Sequence, residues 1–539
     1  MKNFKRFPAA KTILFLLLVF SFFSCYRDKF DFDMLDTDGE WNPDVAVSAI
    51  YSNLTLADII NDHDYNNLVT DNTHFQTLIY SKKVYSRTAA ELIFFPVQNL
   101  NTNIQFSVTG ALPYGTDLQA TPHQVNYSFM VIPDSVIIDE MTLKTGLFNF
   151  SVFSADLNHD ATINISIPNA TLGGIPFNQN INYVYNSNIN QFFDISGYKL
   201  TFDNTGLNKN VLDIIYTITV HGNGNSNNSP YNLSLNESFS DIVLQKIEGD
   251  FKKMYFNFPG DSIEIRLFKN NIHGFIDFED PKINFIATNS FGMPVRFNIT
   301  NLKATEGNDM QPDVLISGVP SSWDINYPSI SQIGQSVTTE LQLDKTNSNV
   351  WNGVLISPKW FVADIAGVSN PTGGTSDNFA NFDSQFDIDA QVELPLAGKT
   401  WNFIIQDTLD FELGEDLGVA EYLHFRINTT NGFPVEAIMQ VYFLDENNQK
   451  LDSLLTPAQQ IVAPAPCSSS PPYMVTQSVH KYTETTFEKQ RISNLKQTKK
   501  ALVHAQMLSS QSSTQIVNIY SDYNLLVQVG VRAKLHVTY

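Results

Sequence analysis

The chain closes on Val527-Gln-Val-Gly-Val-Arg-Ala-Lys-Leu-His-Val-Thr-Tyr539, in which seven apolar positions alternate with polar ones. A period of two places all seven on one face of an extended strand, which a helix cannot do. The same alternation runs through Thr162-Ile-Asn-Ile-Ser-Ile167, Tyr216-Thr-Ile-Thr-Val220 and Ser262-Ile-Glu-Ile-Arg-Leu267. Strands with one buried and one wet face belong in antiparallel sheets. Asn/Gly/Pro clusters such as residues 221–230 read as the loops between them. The pattern predicts a mainly β chain of tandem antiparallel β-sandwich or barrel-like domains with a few short helices. The closing strand is expected to be a core element of the last β domain, not a strand of a membrane barrel, which needs at least eight lipid-facing strands.

Hydrophobic residues at 43% and aromatics at 12%, with 40 Phe, are enough to build real cores. Charged residues make up only 16%, and Asn, Ser and Thr take their place, a composition of exported β proteins more than of cytosolic enzymes. A net charge of −22 repels phosphate backbones, so nucleic acid is excluded as a partner.

Residues 1–25 have a basic head (Lys2, Lys5, Arg6, Lys11), an apolar run too short for a stable bilayer span, and then Ser-Phe-Phe-Ser-Cys25. That order is a secretory signal. With a cysteine where cleavage should fall, it resembles the lipobox of bacterial lipoproteins, with Phe22 standing where that family usually has Leu. The resemblance implies that residues 1–24 are removed and that Cys25 becomes the lipid-modified first residue. Only two cysteines exist, so Cys467 then has no disulfide partner. The acidic stretch 25–40 resembles the tethers that carry Bacteroidota-type lipoproteins to the outer face of the outer membrane. Together with the Asn-rich β body, and segments such as Asn431-Gly-Phe-Pro-Val435, the chain resembles surface lipoproteins of that type. Its Asn-Ser-Phe-Gly-Met-Pro phrase, residues 289–294, is also similar to late-embryogenesis-abundant type 2 domains and tubular lipid-binding domains, neither of which brings catalytic residues.

Downstream of the tether, residues 41–118 read as an N-terminal module with a strand over 45–51 and a short helix opening near Thr55. Residues 119–330 read as a first β domain. Residues 331–539 read as a second, with an amphipathic helix near 484–506 that packs on a sheet more readily than on a membrane, because it lacks an aromatic face. Ile283-Asn-Phe-Ile-Ala-Thr-Asn-Ser-Phe-Gly-Met-Pro-Val295 lies without gaps over Leu423-His-Phe-Arg-Ile-Asn-Thr-Thr-Asn-Gly-Phe-Pro-Val435. Either a duplication or a shared hairpin recipe would produce this, with Gly292 and Gly432 suited to a left-handed turn.

Chemistry is sparse in the sequence. His63 between Asp62 and Asp64 is the most ligand-like histidine, yet one tripeptide supplies too few ligands for a metal. Asp36-Thr-Asp38-Gly39 fails as a calcium loop because Met34 occupies its first ligand position. Asp156, Asn158 and Asp160 space oxygen ligands like the first half of such a loop, but Ala161 replaces the turn glycine and Ile167 the closing Glu. A hairpin turn is the preferred reading there, with calcium bound weakly or not at all. No nucleophile elbow, phosphate loop or dinucleotide glycine set occurs.

The expected function is that of a lipid-anchored cell-surface β-rich binding or structural lipoprotein, without catalytic site or cofactor. Its partners would be the membrane, through Cys25, and a glycan or protein at the surface. A carrier of lipid or another hydrophobic ligand, marked by an enclosed apolar cavity, stays open. So does a secreted glycan hydrolase, marked by two facing carboxylates assembled in space. Cys25→Ser should abolish incorporation of labelled fatty acid and move the protein out of the membrane fraction; a variant that still sediments with membranes in high salt would contradict the signal reading.

Overall fold

The computed structural model describes residues 40–538 apart from 60–66, 108–109, 206–208, 226–229, 309–310, 374–376, 412–419 and 511–512. The signal, Cys25, the tether before Glu40, Asp36–Gly39 and His63 therefore lie outside the described residues.

The chain is mainly β, as its alternation predicts, and it falls into three bodies. The first is an 11-stranded sheet whose spine is the long antiparallel ladder between Ile137–Phe153 and Tyr231–Asp250. Alternation explains its two faces. Ile163, Ile165 and Ile167 point inward and are buried, while Asn164 between them donates from Nδ2 to Asn178 and Asn180 on the neighbouring strand, at 2.7 Å each. Cross-strand amides of this kind satisfy one another without charge.

The second and third bodies are two-sheet sandwiches. In the first sandwich, Tyr255–Glu264, Trp360–Ser369 and Val295–Thr305 form one sheet, and Val337–Leu343, Lys282–Asn289, Gln385–Pro395 and Gln76–Thr88 form most of the other. Their inner faces meet through Phe297 and Phe386, stacked at 5.2 Å, and Phe285 against Trp323 at 6.5 Å. In the second sandwich, Asn271–Phe278, Ala397–Asp410, Lys500–Ser509 and Val435–Leu444 face Asp44–Thr55, Asn524–Leu535, Ala420–Asn431 and Val479–Glu488. Phe443 and Phe487 meet across that interior at 6.2 Å. Large aromatics pack with aliphatic side chains in both interiors and help hold the sheets face to face.

The two sandwiches repeat one topology. From Lys282–Asn289 the chain runs to Val295–Thr305, two short edge strands, Val337–Leu343, a short helix, Trp360–Ser369, Asn378–Asn381 and Gln385–Pro395. From Ala420–Asn431 it runs to Val435–Leu444, two short edge strands, Val479–Glu488, a short helix, Lys500–Ser509, Val517–Asn518 and Asn524–Leu535. The pairings within each set match step for step. Each last strand then pairs with an N-terminal strand, Gln76–Thr88 in one case and Asp44–Thr55 in the other. Both N-terminal strands end in a one-turn helix closed by the same device: Thr88 donates from its amide and hydroxyl to Glu91 Oε2, and Thr55 does so to Asp58 Oδ2. The short similarity seen in the sequence lies at the same corner of a topology that repeats over a whole sandwich.

Four expectations are corrected. Residues 41–118 are not a module, because their strands are dealt out to all three bodies. The boundary at 330/331 is crossed by the Ile283–Leu343 to Asn289–Val337 ladder, so it does not divide the chain. The helix near 484–506 is confined to Lys489–Gln497, between strands Val479–Glu488 and Lys500–Ser509, and it buries Ile492 and Leu495 in the second sandwich. The repeated phrase is a corner that carries the chain from one sheet to the facing sheet, not a hairpin, and neither Gly292 nor Gly432 has a positive φ. Gly292 is needed for close approach instead, since a Cβ there would lie 2.0 Å from the Phe379 ring.

A buried asparagine builds each corner. Asn289 Oδ1 accepts from the Phe291 amide and Asn431 Oδ1 from the Phe433 amide, both at 2.9 Å. The equivalence pairs Asn289 with Asn431, two residues out of the gapless register, with two extra residues in the first corner. Asn431 Nδ2 also donates to the carbonyls of Phe433, Val435 and Ala463. Removing this side chain orphans several buried backbone groups, each costing roughly 1–3 kcal/mol. Asn431→Ala should lower the unfolding free energy by about 2–4 kcal/mol in urea titration, and Asn431→Asp by at least as much, because its oxygens would face carbonyls. A change below about 0.5 kcal/mol would show that the corner does not depend on the amide.

Candidate ligand-binding cleft

Asn271–Phe278 lies between strands of the first sandwich in sequence but pairs with Ala397–Asp410 of the second. Two glycines allow the close pairing. A Cβ at Gly398 would lie 2.2 Å from the Asp277 carbonyl oxygen, and one at Gly274, which has φ +74, would lie 2.0 Å from that of Asn402. The ladder sets Phe275 opposite Trp401 and, two residues along on the same face, Asp277 opposite Lys399. Beside Asn271–Phe278 sits the helix Val350–Leu355, anchored by buried Val350 and Val354, with Trp351 turned outward. Trp351 Nε1 donates to Asp277 Oδ1 at 2.7 Å.

The result is an open cleft of about 590 Å³ between the two sandwiches, with Asp277, Glu279, Lys345, Trp351 and Lys399 among its walls. Its size is that of small-molecule sites. Its lip is rigid: Asp344 Oδ1 accepts from the Thr346 amide and hydroxyl at 2.7 and 2.6 Å, and these donors hold its carboxyl below the usual carboxylate range. Asn349 fastens the helix entry by accepting from the Ser317 amide and donating to the Leu315 carbonyl. Lys345 Nζ reaches the Glu279 carbonyl at 2.7 Å across the cleft. Trp401 is 52% exposed, and Trp351 and Phe275 are each 37% exposed, so three aromatic side chains are offered to solvent beside a carboxylate and an ammonium.

No protein-family model matches the chain, and no curated protein sequence does. Among solved structures, a Parabacteroides distasonis protein described as secreted is similar at 13% identity, with 55% of this chain and 90% of that one covered and a TM-score of 0.26. A triple jelly-roll protein of an archaeal virus covers 85% of this chain and 95% of its own at 11% identity, TM-score 0.12. At these scores neither likeness bears on the site.

The sequence-derived candidates are not part of the cleft. Asp156 Oδ2 accepts from Asn232 at 2.7 Å, Asn158 Oδ1 from the Tyr231 hydroxyl at 2.9 Å, and Asp160 Oδ1 from the Tyr185 amide at 2.8 Å, so each of these oxygens is bonded to a different donor. Their loop is not a hairpin turn either. It joins Ile137–Phe153 to Ala161–Leu172, and Lys199–Thr201 pairs between those two strands. Cys467 is a half-buried free thiol, which burial pushes up in pKa. Sequence reasoning missed the cleft. Its only signal was a tryptophan in each of two polar stretches, Asn349-Val-Trp351-Asn and Lys399-Thr-Trp401-Asn.

A separate buried acid lies inside the first body. Glu237 is 3% exposed and accepts from the Tyr216 hydroxyl at 2.7 Å, while its Oε2 has no hydrogen bond among the described residues. Burial pushes its pKa from 4.5 up to about 7. A carboxyl whose folded-state pKa is raised stabilises the fold fully below about pH 4.5, and that contribution is lost as pH rises through about 7. The gap corresponds to about 3 kcal/mol. The unfolding free energy of the wild type should fall by about that amount from pH 4.5 to 8 relative to Glu237→Gln; parallel pH profiles for the two proteins would show that Glu237 is not the group responsible.

Proposed function

We propose that the protein is a lipid-anchored binding protein of the outer-membrane surface, tethered through Cys25, and that the cleft between its sandwiches holds its ligand without turning it over. The observation that carries this reading is the Trp351–Asp277 hydrogen bond in an open cleft, in which one oxygen of a wall carboxylate positions an exposed aromatic ring.

Placement supports it. Glu40 pairs with Thr538 at one end of the second sandwich, and Asp44–Thr55 runs from there to its other end, a span of roughly 35–40 Å. The Thr55 end pairs with Asn524, whose carbonyl accepts from Gly432. Pro434 in the same corner bonds Ser510, and Ser509 bonds Thr400, beside the Asp277–Lys399 rung. The cleft therefore lies at the end remote from the anchor. The 15 residues from Cys25 to Glu40 reach at most about 50 Å, enough to hold the molecule on the bilayer with the cleft outward.

The test is thiol labelling of intact cells carrying Lys399→Cys in a Cys467→Ser background. A membrane-impermeant maleimide should label this position without lysis; labelling only after the outer membrane is opened would overturn surface display.

A further inference from the structure

Resting on that reading of the cleft, we infer that its ligand is a neutral oligosaccharide long enough to run from Trp351 to Trp401. Asp277 presents only acceptors and Lys399 only donors, and they face each other on one rung. Hydroxyls, which both donate and accept, satisfy the two with one kind of group. The Phe275–Trp401 rung lies about 7 Å along the same face from the Asp277–Lys399 rung, by the rise of two strand residues. Trp351 stands over the charged rung, so aromatic surface flanks polar groups on both sides. A chain of sugar rings has this pattern, an apolar C–H face on each ring and hydroxyls around its rim. Aromatic side chains offer flat area at little entropic cost, which suits stacking on such faces.

Other polymers fit less well. Asn271–Phe278 is the outermost strand of its sheet, where a peptide could add as a further strand, but the helix Val350–Leu355 packs against it. Asn308 also reaches that strand, donating to Asn271 Oδ1 and the Gly274 carbonyl. Anionic polymers are opposed by the net charge of −22. A lipid tail would need an enclosed apolar site, and this cleft is open, with charged walls.

The experiment uses the full mature chain with Cys25→Ser, in affinity electrophoresis through gels containing soluble α-glucan, β-glucan, mannan or xylan. At least one polysaccharide should retard the protein. Trp351→Ala and Trp401→Ala should each weaken that binding about tenfold or more, whereas Trp401→Phe should stay within about threefold, with melting temperatures unchanged for the exposed Trp401 variants. Retardation by none of the four would overturn the saccharide assignment. Retardation that survives both Trp→Ala changes would overturn the cleft as the site. Binding of a fluorescent casein-peptide pool, lost in Trp351→Ala without any polysaccharide binding, would keep the cleft and remove the saccharide.

Discussion

The ladder between Asn271–Phe278 and Ala397–Asp410 is the interaction on which the molecule's higher organisation rests. It lends a strand from the middle of the first sandwich's sequence to a sheet of the second. That exchange fixes how the two sandwiches meet, because the pairing of backbone groups admits no sliding without moving every side chain to the wrong face. The price of such close pairing is glycine at Gly274 and Gly398, where any side chain would collide with the facing carbonyl. The cleft is a by-product of the same join: one wall belongs to the borrowed ladder and the other to the helix of the first sandwich.

The two copies of the helix are put to different uses. The helix that follows Val337–Leu343 presents Trp351 to solvent, whereas its counterpart Lys489–Gln497 is turned to structural use. There Arg491 lies over the Phe487 ring at 3.7 Å and pairs with Asp452, whose side chain is 11% exposed. A largely desolvated, multiply bonded arginine of this kind fixes the helix onto its sheet. One copy of the helix locks the fold, and the other, held by its apolar face and by Asn349, leaves its polar face free to form a cleft.

What could be read from the sequence was local. Alternation in the last strand, the Thr55 helix start and the Asn-Gly-Phe-Pro phrase all report on neighbours a few residues apart. Their structural counterparts are Asn524–Leu535, the Thr55–Asp58 cap and a sheet-to-sheet corner. What could not be read was long-range pairing. Nothing in Asp44–Thr55 says that it pairs with a strand beginning at Asn524, since any amphipathic strand offers the same ladder groups. The domain boundaries failed for this reason, and so did the length of the helix near 484–506, where Phe487 and Leu502 fit a helical stripe yet belong to flanking strands. The cleft was hidden by the same cause: Asp277, Trp351 and Lys399 meet only through pairings between distant segments.

The N-terminal strands also bear on how force from an anchor would be carried. Asp44–Thr55 lies at the edge of its sheet, and Arg532 on the neighbouring strand donates to Asp44 from Nε and Nη2, one edge of its guanidinium, which keeps the Asp44 carboxyl below the usual range. A pull on Glu40 acts first on the Glu40–Trp41 pairing with Val537–Thr538, and then along a ladder that continues to Thr55. Antiparallel strands pulled along their length share load over many hydrogen bonds, so the strand nearest the tether is the one with an extended ladder behind it. The N-terminal strand thus covers the outer side of Asn524–Leu535 and leaves Glu40 at the end opposite the cleft.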